Sequence, residues 1–390
     1  MSDVKKMIGE VFEEISEGLI TGSFGKKVKI GITVKGSELG IENILKGVEM
    51  ASEKDPSIEA VLITPKVESK FTQFNVDSEE EQHRKMEELL DNHTIDACVT
   101  MHYSFPIGVS TVGRVITPGR GKEMCLATTT GTSSNHRVEA MIKNGIYGII
   151  TAKALGIENP TVGIANLDGA RQVERALLEL KSGGYPITFS ESQRADGGVI
   201  MRGNDLLLGT PDVMINDTLT GNLLMKVFSS YTTGGDFEAM GYGYGPGIGE
   251  GYERLIMILS RASGSPVVCN AILYAAKLVR GNIKEVAKKE FEKANKAGLK
   301  TVIEKYSQTK DKKEASEEVA PPPKEIVTFA IAGVDVMEIE DAVKVLWKEK
   351  IYAESGMGCT GPVVMVCEAN SDKAKETLSK AGFIAGSSVC

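Results

Sequence analysis

Among the side chains able to do chemistry, Cys359 has the most unusual setting. It sits in Ser355-Gly-Met-Gly-Cys-Thr-Gly-Pro362, a turn-rich stretch ahead of the apolar run Val363-Val-Met-Val366. Glycines on both sides let backbone N–H groups point at the sulfur, and such a nest lowers a thiol pKa without a basic neighbour. The same residues also suit a plain loop before a strand. A second candidate, Gly131-Thr-Ser-Ser-Asn-His-Arg137, opens a helix over Val138–Lys143. Ser134 or Asn135 is a natural N-cap there. A Gly/Ser/Thr loop bearing His136 and Arg137 at a helix N-terminus equally offers donors to an oxyanion or phosphate. The third candidate is Asp217-Thr-Leu-Thr-Gly-Asn222, which follows a strand ending at Asn216 and precedes a helix carrying Lys226. It falls at the carboxyl end of a strand, where open α/β sheets bind ligands. Thr220, the Gly221 backbone, Asn222 and Lys226 supply donors for a phosphate, and Asp217 orients them or acts as a base. The alternative is a capped strand–helix turn with no ligand.

Two further patterns exclude chemistry. The glycines of Gly241-Tyr-Gly-Tyr-Gly-Pro-Gly-Ile-Gly-Glu-Gly251 all fall at odd positions, so the offsets of two and five needed by a dinucleotide fingerprint are absent. That segment reads as a flexible loop or as a lid or anion-binding surface. The cysteines show no Cys-x-x-Cys spacing and the four histidines do not cluster with them, so no zinc site is expected. Cys98, Cys125, Cys269 and Cys367 lie in apolar runs and are expected in the core. Cys390 is terminal.

The elements that must position these groups follow from hydrophobic periodicity. A helical pattern (Val4, Met7, Ile8, Val11, Phe12, Ile15, Leu19) precedes the strand Val28–Val34, a helix from Gly40 to Glu53, and the strand Glu59–Thr64. A charged helix (Ser78 to Asn92) and a strand (Asp96–Thr100) come next. Then come a helix from about His136, an apolar run Tyr147–Ala152, the strand Thr161–Ala165, a helix Ala170–Lys181 and the strand Val213–Asn216. This alternation predicts a doubly wound sheet, an α/β/α layered core over 1–306. Residues 307–325 are charged, then proline-rich, and form a linker; the 17 residues from Ser307 to Pro323 reach at most ~55 Å when extended. A small α+β module is predicted over 326–390: strand Ile326–Ala332, helix Val336–Lys348, the Cys359 loop, strand Val363–Cys367 and helix Ser371–Ala381. The charge balance, 45 Lys+Arg against 53 Asp+Glu, lacks the basic stripe of a nucleic-acid binder. No apolar run reaches the ~20 residues of a membrane helix, and the N-terminus lacks a signal peptide's h-region. A cytoplasmic enzyme or enzyme subunit is expected, with no metal.

Lys153-Ala-Leu-Gly-Ile-Glu-Asn-Pro-Thr-Val-Gly-Ile-Ala-Asn166, together with Asp212-Val-Met-Ile-Asn-Asp-Thr-Leu-Thr-Gly-Asn-Leu-Leu-Met-Lys226, resembles the PlsX-type phosphate acyltransferases over roughly residues 28–300. Three altered stretches look like the family's remaining motifs: Val34–Glu38 after the first strand, Met101–Ile107 as the acyl-binding stretch, and Arg261–Pro266 as the late small-residue segment. The resemblance implies a doubly wound fold like that of phosphotransacetylases and isopropylmalate dehydrogenases, commonly dimeric. It also implies exchange of an acyl group between a thioester and inorganic phosphate. A PlsX-like core joined to a Gly-Cys-Thr-Gly-Pro module resembles subunits of the glycine/sarcosine/betaine reductase complexes of amino-acid-fermenting anaerobes. That likeness implies Cys359 as the active thiol, acetyl phosphate as product and inorganic phosphate as substrate, with no redox cofactor in this chain. As partners it implies the thiolase/ketoacyl-synthase-like beta subunit of component C and the selenoprotein A carrier. A free-standing phosphate acyltransferase acting on an acyl-CoA and a non-catalytic scaffold subunit are the alternatives.

Overall fold

The β-branched run Val-Lys-Ile-Gly-Ile-Thr forms β1 (Val28–Thr33), almost wholly buried, as befits a parallel strand covered on both faces. In this computed structural model, residues 8, 9, 11, 12, 15, 16, 19, 27–194, 197–307, 319–335, 338–358 and 361–384 are described. After β1 come α1 (Gly40–Lys54), β2 (Ile58–Thr64), β3 (Thr72–Asn75), α2 (Glu79–Asp91) and β4 (Ala97–Thr100). The chain then runs through β5 (Val109–Ile116), β6 (Glu123–Thr132), α3 (Arg137–Ala154), β7 (Thr161–Ala165) and α4 (Ala170–Ser182). Next are β8 (Thr188–Phe189), β9 (Ile200–Met201), α5 (Gly203–Leu208), β10 (Val213–Ile215) and α6 (Thr218–Ser230). β11 (Gly245–Ile248), β12 (Ile256–Ile258), α7 (Ser265–Arg280), α8 (Ile283–Lys296) and α9 (Leu299–Ser307) complete the core. The described positions between 8 and 19 are helical.

One sheet joins these strands in the order β3-β2-β1-β4-β12-β11-β5-β6-β10-β7-β8, with β9 also on β7. Its two wings are parallel; β11 and β5 make an antiparallel seam between them. One hydrophobic cluster fills the space beneath α1, α3, α4, α7 and α8, and another lies on the opposite face beneath α2 and α6. This is the doubly wound α/β/α arrangement expected, with the seam added.

The seam corrects one expectation. Gly241–Gly251 is neither a flexible loop nor a lid, because Gly245–Ile248 is a buried strand in the middle of the sheet. Its glycines serve close packing: a Cβ at Gly245 would lie 1.8 Å from the Val112 carbonyl oxygen, and one at Gly247 would meet the Phe105 ring at 2.4 Å. A second correction concerns α3, which runs through Lys143 and absorbs the apolar run Tyr147–Ala152 into one helix ending at Ala154.

Beyond the linker, β13 (Phe329–Ala332), α10 (Ile339–Lys348), β14 (Ala353–Gly358), β15 (Gly361–Val366) and α11 (Ser371–Lys380) form a three-stranded antiparallel sheet with two helices. Ile331, Leu346, Val364, Val366 and Leu378 build a separate core. Most of the stretch read as a turn-rich loop is strand: β14 pairs with β15 from Ala353–Val366 to Gly358–Gly361. The module rests against α4, where the Gly169 N–H donates to Asp335 Oδ2 at 3.1 Å.

Candidate functional site

The strand β10 is followed by the buried Asn216, and Asp217 then takes an extended conformation (φ −78°, ψ 163°) and caps α6, accepting the Thr220 N–H at 2.7 Å. α6 is drawn tightly onto the end of β6. The Thr218 hydroxyl donates to the Gly131 carbonyl at 3.0 Å, and Asn222 Nδ2 donates to the Thr129 carbonyl at 3.1 Å. Gly221 makes this approach feasible: a Cβ there would fall 1.7 Å from the Thr128 carbonyl oxygen. Its N–H is already donated to the Asp217 carbonyl at 2.9 Å, so it is not a free donor for a phosphate.

α3 starts beside this cap. Ser134 Oγ accepts the His136 N–H at 3.1 Å, and His136 precedes the helix without a side-chain cap of its own. The N–H groups of the first turn therefore lack intrahelical partners, and the helix dipole favours negative charge there. Asn135 and His136 are exposed. Arg137, the first residue of α3, binds the Asp217 carboxylate and lies 3.6 Å from Asp168 Oδ2. Burial acts to raise the Asp217 pKa. The Thr220 N–H and side chain and the Arg137 guanidinium outweigh it and hold the carboxyl below its ordinary value.

Lys226 belongs to a different place. It lies nine residues along α6 from the cap, about 14 Å at 1.5 Å per residue. Its Nζ is 2.6 Å from both Glu238 Oε1 and Ser260 Oγ. Glu238 is 1% exposed and also accepts the Ser263 hydroxyl at 2.9 Å. Here the three altered stretches converge. The Glu38 N–H donates to the Arg261 carbonyl at 2.9 Å, and the Leu259 N–H donates to Thr100, just before Met101, at 2.8 Å. The structure therefore brings together Ser134, His136, Asp217 and Thr220 at two helix starts, and sets Lys226 apart against Glu238 and Ser260, just beyond β12.

Cys359 lies outside the described residues, as does Cys390. Its neighbours Gly358 and Gly361 pair with each other across the hairpin. Cys98, Cys125 and Cys269 are buried and Cys367 is half-buried. Burial pushes the Cys125 thiol up to about 12 and raises Cys98 and Cys269 as well, so these three are not nucleophiles. No group of three metal-ligating side chains occurs among the described residues. No described helix is long and apolar enough to cross a membrane. A cavity of about 270 Å³ opens between Ile107, Val109, Lys143, Tyr147, Glu250 and Phe291. Sequence reasoning did not find Asp168, Glu238 or Ser260; each lies in another element from the motif it serves, and no local spacing marks it.

Comparison with known proteins adds an independent line. The family described as fatty acid synthesis protein matches residues 28–365. The chain is 63% identical over 385 residues to the glycine/sarcosine/betaine reductase complex component C subunit alpha of Peptoclostridium acidaminophilum, covering 99% of this chain and 100% of that protein. It is 29% identical over 234 residues to a phosphate acyltransferase of Thermotoga petrophila, covering 51% of this chain and 67% of the relative. A 4-hydroxythreonine-4-phosphate dehydrogenase from Klebsiella pneumoniae aligns with 65% of the chain at 10% identity and a TM-score of 0.39, too loosely to bear on fold or function.

Proposed function

Because this chain belongs to the fatty acid synthesis protein family, with phosphate acyltransferases among its relatives, we propose that it transfers an acetyl group to inorganic phosphate as a subunit of a reductase complex. The observation that carries the reading is the 63% identity to a component C subunit alpha, which extends through both the core and the cysteine-bearing module. In this reading the Cys359 thiolate attacks an acetyl thioester carried by a partner protein; the new C–S bond forms as the partner's C–S bond breaks and the partner's thiolate leaves. A phosphate oxygen attacks the thioester carbonyl, the tetrahedral intermediate collapses, and the C–S bond breaks. Acetyl phosphate leaves and the thiolate is restored. A thiolate suits both steps, as nucleophile and as leaving group.

Phosphate binding is assigned to the two helix starts, where Arg137, the first-turn N–H groups of α3, Ser134, Asn135 and His136 are the donor side. Asp217 and Thr220 hold the opposite wall, and Arg137 leaves its carboxylates to meet the incoming anion. Lys226 orders the strand-end segment through Glu238 and Ser260 in place of binding phosphate. No cofactor is required by these steps. The proposed partners are the thiolase/ketoacyl-synthase-like beta subunit and the selenoprotein A carrier, and the linker lets the module travel between donor and core.

The test is acetyl phosphate formation, trapped as the hydroxamate, by the reconstituted complex. Cys359→Ser is expected to abolish it with folding intact, and intact-mass analysis of the wild type should reveal a 42 Da acetyl adduct on the Cys359 peptide (the general mass of acetylation). Full activity in Cys359→Ser would overturn the assignment. Turnover of acyl-CoA and phosphate by the isolated chain would favour the free-standing acyltransferase.

A further inference from the structure

Among the described residues the module and the core share no hydrophobic cluster: the module's buried apolar residues pack on one another, and the core's form two clusters of their own. The described contacts between the two include a set of hydrogen bonds and an ion pair. Asp335, 4% exposed, accepts the Gly169 N–H at 3.1 Å. Glu338 accepts from Gln172 Nε2 at 3.1 Å and from Arg175 Nη2 at 2.9 Å. Arg175 Nη1 also donates to the Phe383 carbonyl at 3.0 Å. All three donors on the core side lie at the start of one helix.

From this we infer that the first two turns of α4 form a reversible docking port for the chain's own C-terminal module, held by charge and hydrogen bonding, with Arg175 as the latch. The helix is suited to the task because it has no cap of its own. Gly169 precedes it at φ 84° and offers no side chain, so Asp335 supplies the missing capping carboxylate from the other side of the contact. Arg175 spans the contact, gripping a carboxylate from α10's start and a carbonyl after α11, so one side chain ties down both ends of the module. The Arg175 and Glu338 side chains are 14% and 26% exposed, so salt weakens their pairing less than that of a surface pair but more than it would weaken an apolar core. A contact of this kind holds a tethered module and also releases it.

The port adjoins the candidate site through one residue. Asp168, immediately before Gly169, lies 3.6 Å from Arg137, which binds Asp217. Docking therefore brings the module to the same turn that flanks the proposed phosphate site. The significance for turnover rests on the acyl-shuttle reading above; the docking itself does not.

The experiment is small-angle X-ray scattering of the full-length protein at low and high ionic strength. Arg175→Glu is compared with the double charge swap Arg175→Glu/Glu338→Arg, with thermal melts confirming that each variant folds. The expected result is a larger radius of gyration for Arg175→Glu, a smaller increase for wild type at high salt, and return toward the compact value in the double variant. Unchanged scattering in Arg175→Glu and across the salt series would overturn the latch. Acetyl phosphate formation by the same variants separates the two ideas. Turnover altered in Arg175→Glu and restored in the double variant supports port and shuttle together. Unchanged turnover beside an enlarged radius of gyration supports the port and counts against the shuttle.

Discussion

The two ends of α6 carry charge clusters that look alike in the sequence and differ in three dimensions. At the start, Asp217, its side chain 16% exposed, shares Arg137 with the 63%-exposed Asp168. Nine residues later, Lys226 meets a Glu238 that is 1% exposed and bonded to Ser263. The first cluster can exchange one partner for a ligand at low cost because water replaces what is lost. The second cannot, because a carboxylate deprived of its cation there has little water to turn to. One helix thus carries the candidate site at its start and a structural clamp further along.

Substitutions at four positions test that contrast. The largest effect is expected between the clusters, at Gly221→Ala, where the new methyl group meets two groups of the framework, the Thr128 carbonyl at 1.7 Å and Asn216 Nδ2 at 2.2 Å. Moving α6 off β6 should cost about 3 kcal/mol or more, read as a lower urea midpoint. Lys226→Met comes next. It strands Glu238, but the Lys226 side chain is 44% exposed, so about 2 kcal/mol is expected against the 3–5 of a fully buried pair. A loss under 0.5 kcal/mol would abolish the distinction between the two ends.

Asp217→Ala removes the cap and should cost about 1 kcal/mol. It also carries a pH signature. Since the Asp217 pKa is lowered on folding, its stabilising contribution is present above the ordinary carboxylate range and fades as pH falls through the lowered value. The gap between wild type and Asp217→Asn should therefore narrow in acid; a gap constant from neutral pH to pH 3 would contradict the assignment. Arg137→Ala should have the smallest effect on stability, below about 1 kcal/mol. Its effect belongs to binding, seen as a higher KM for phosphate in acetyl phosphate synthesis. An unchanged KM would remove Arg137 from the proposed site.

Much of the core was legible because alternating apolar strands and amphipathic helices follow periods that sequence displays directly, as in Val28–Thr33 and Ala170–Ser182. The cap at Asp217 was legible for the same local reason. What escaped was non-local. Gly245–Ile248 lacks side chains that announce a strand, and only the approach of Val112 and Phe105 explains its glycines. The sequence suggests Lys226 as a phosphate donor because it lies on the helix that Asp217–Asn222 opens. Its partners Glu238 and Ser260 arrive from segments 12 and 34 residues away. The hairpin β14–β15 was masked by glycines that favour turns, although here they occupy paired strand positions.

The capping of α4 by Asp335 has a consequence for the birth of the molecule. The two residues are 166 positions apart, an interval that a ribosome working at 5–20 residues per second crosses in roughly 10–30 s. Throughout that time the Gly169 N–H has no Asp335 to accept it, although the Ala170 N–H can already turn back to the Leu167 carbonyl. The last part of the chain to emerge closes the helix, so the completed polypeptide differs from its own folded precursor at the turn beside Arg137.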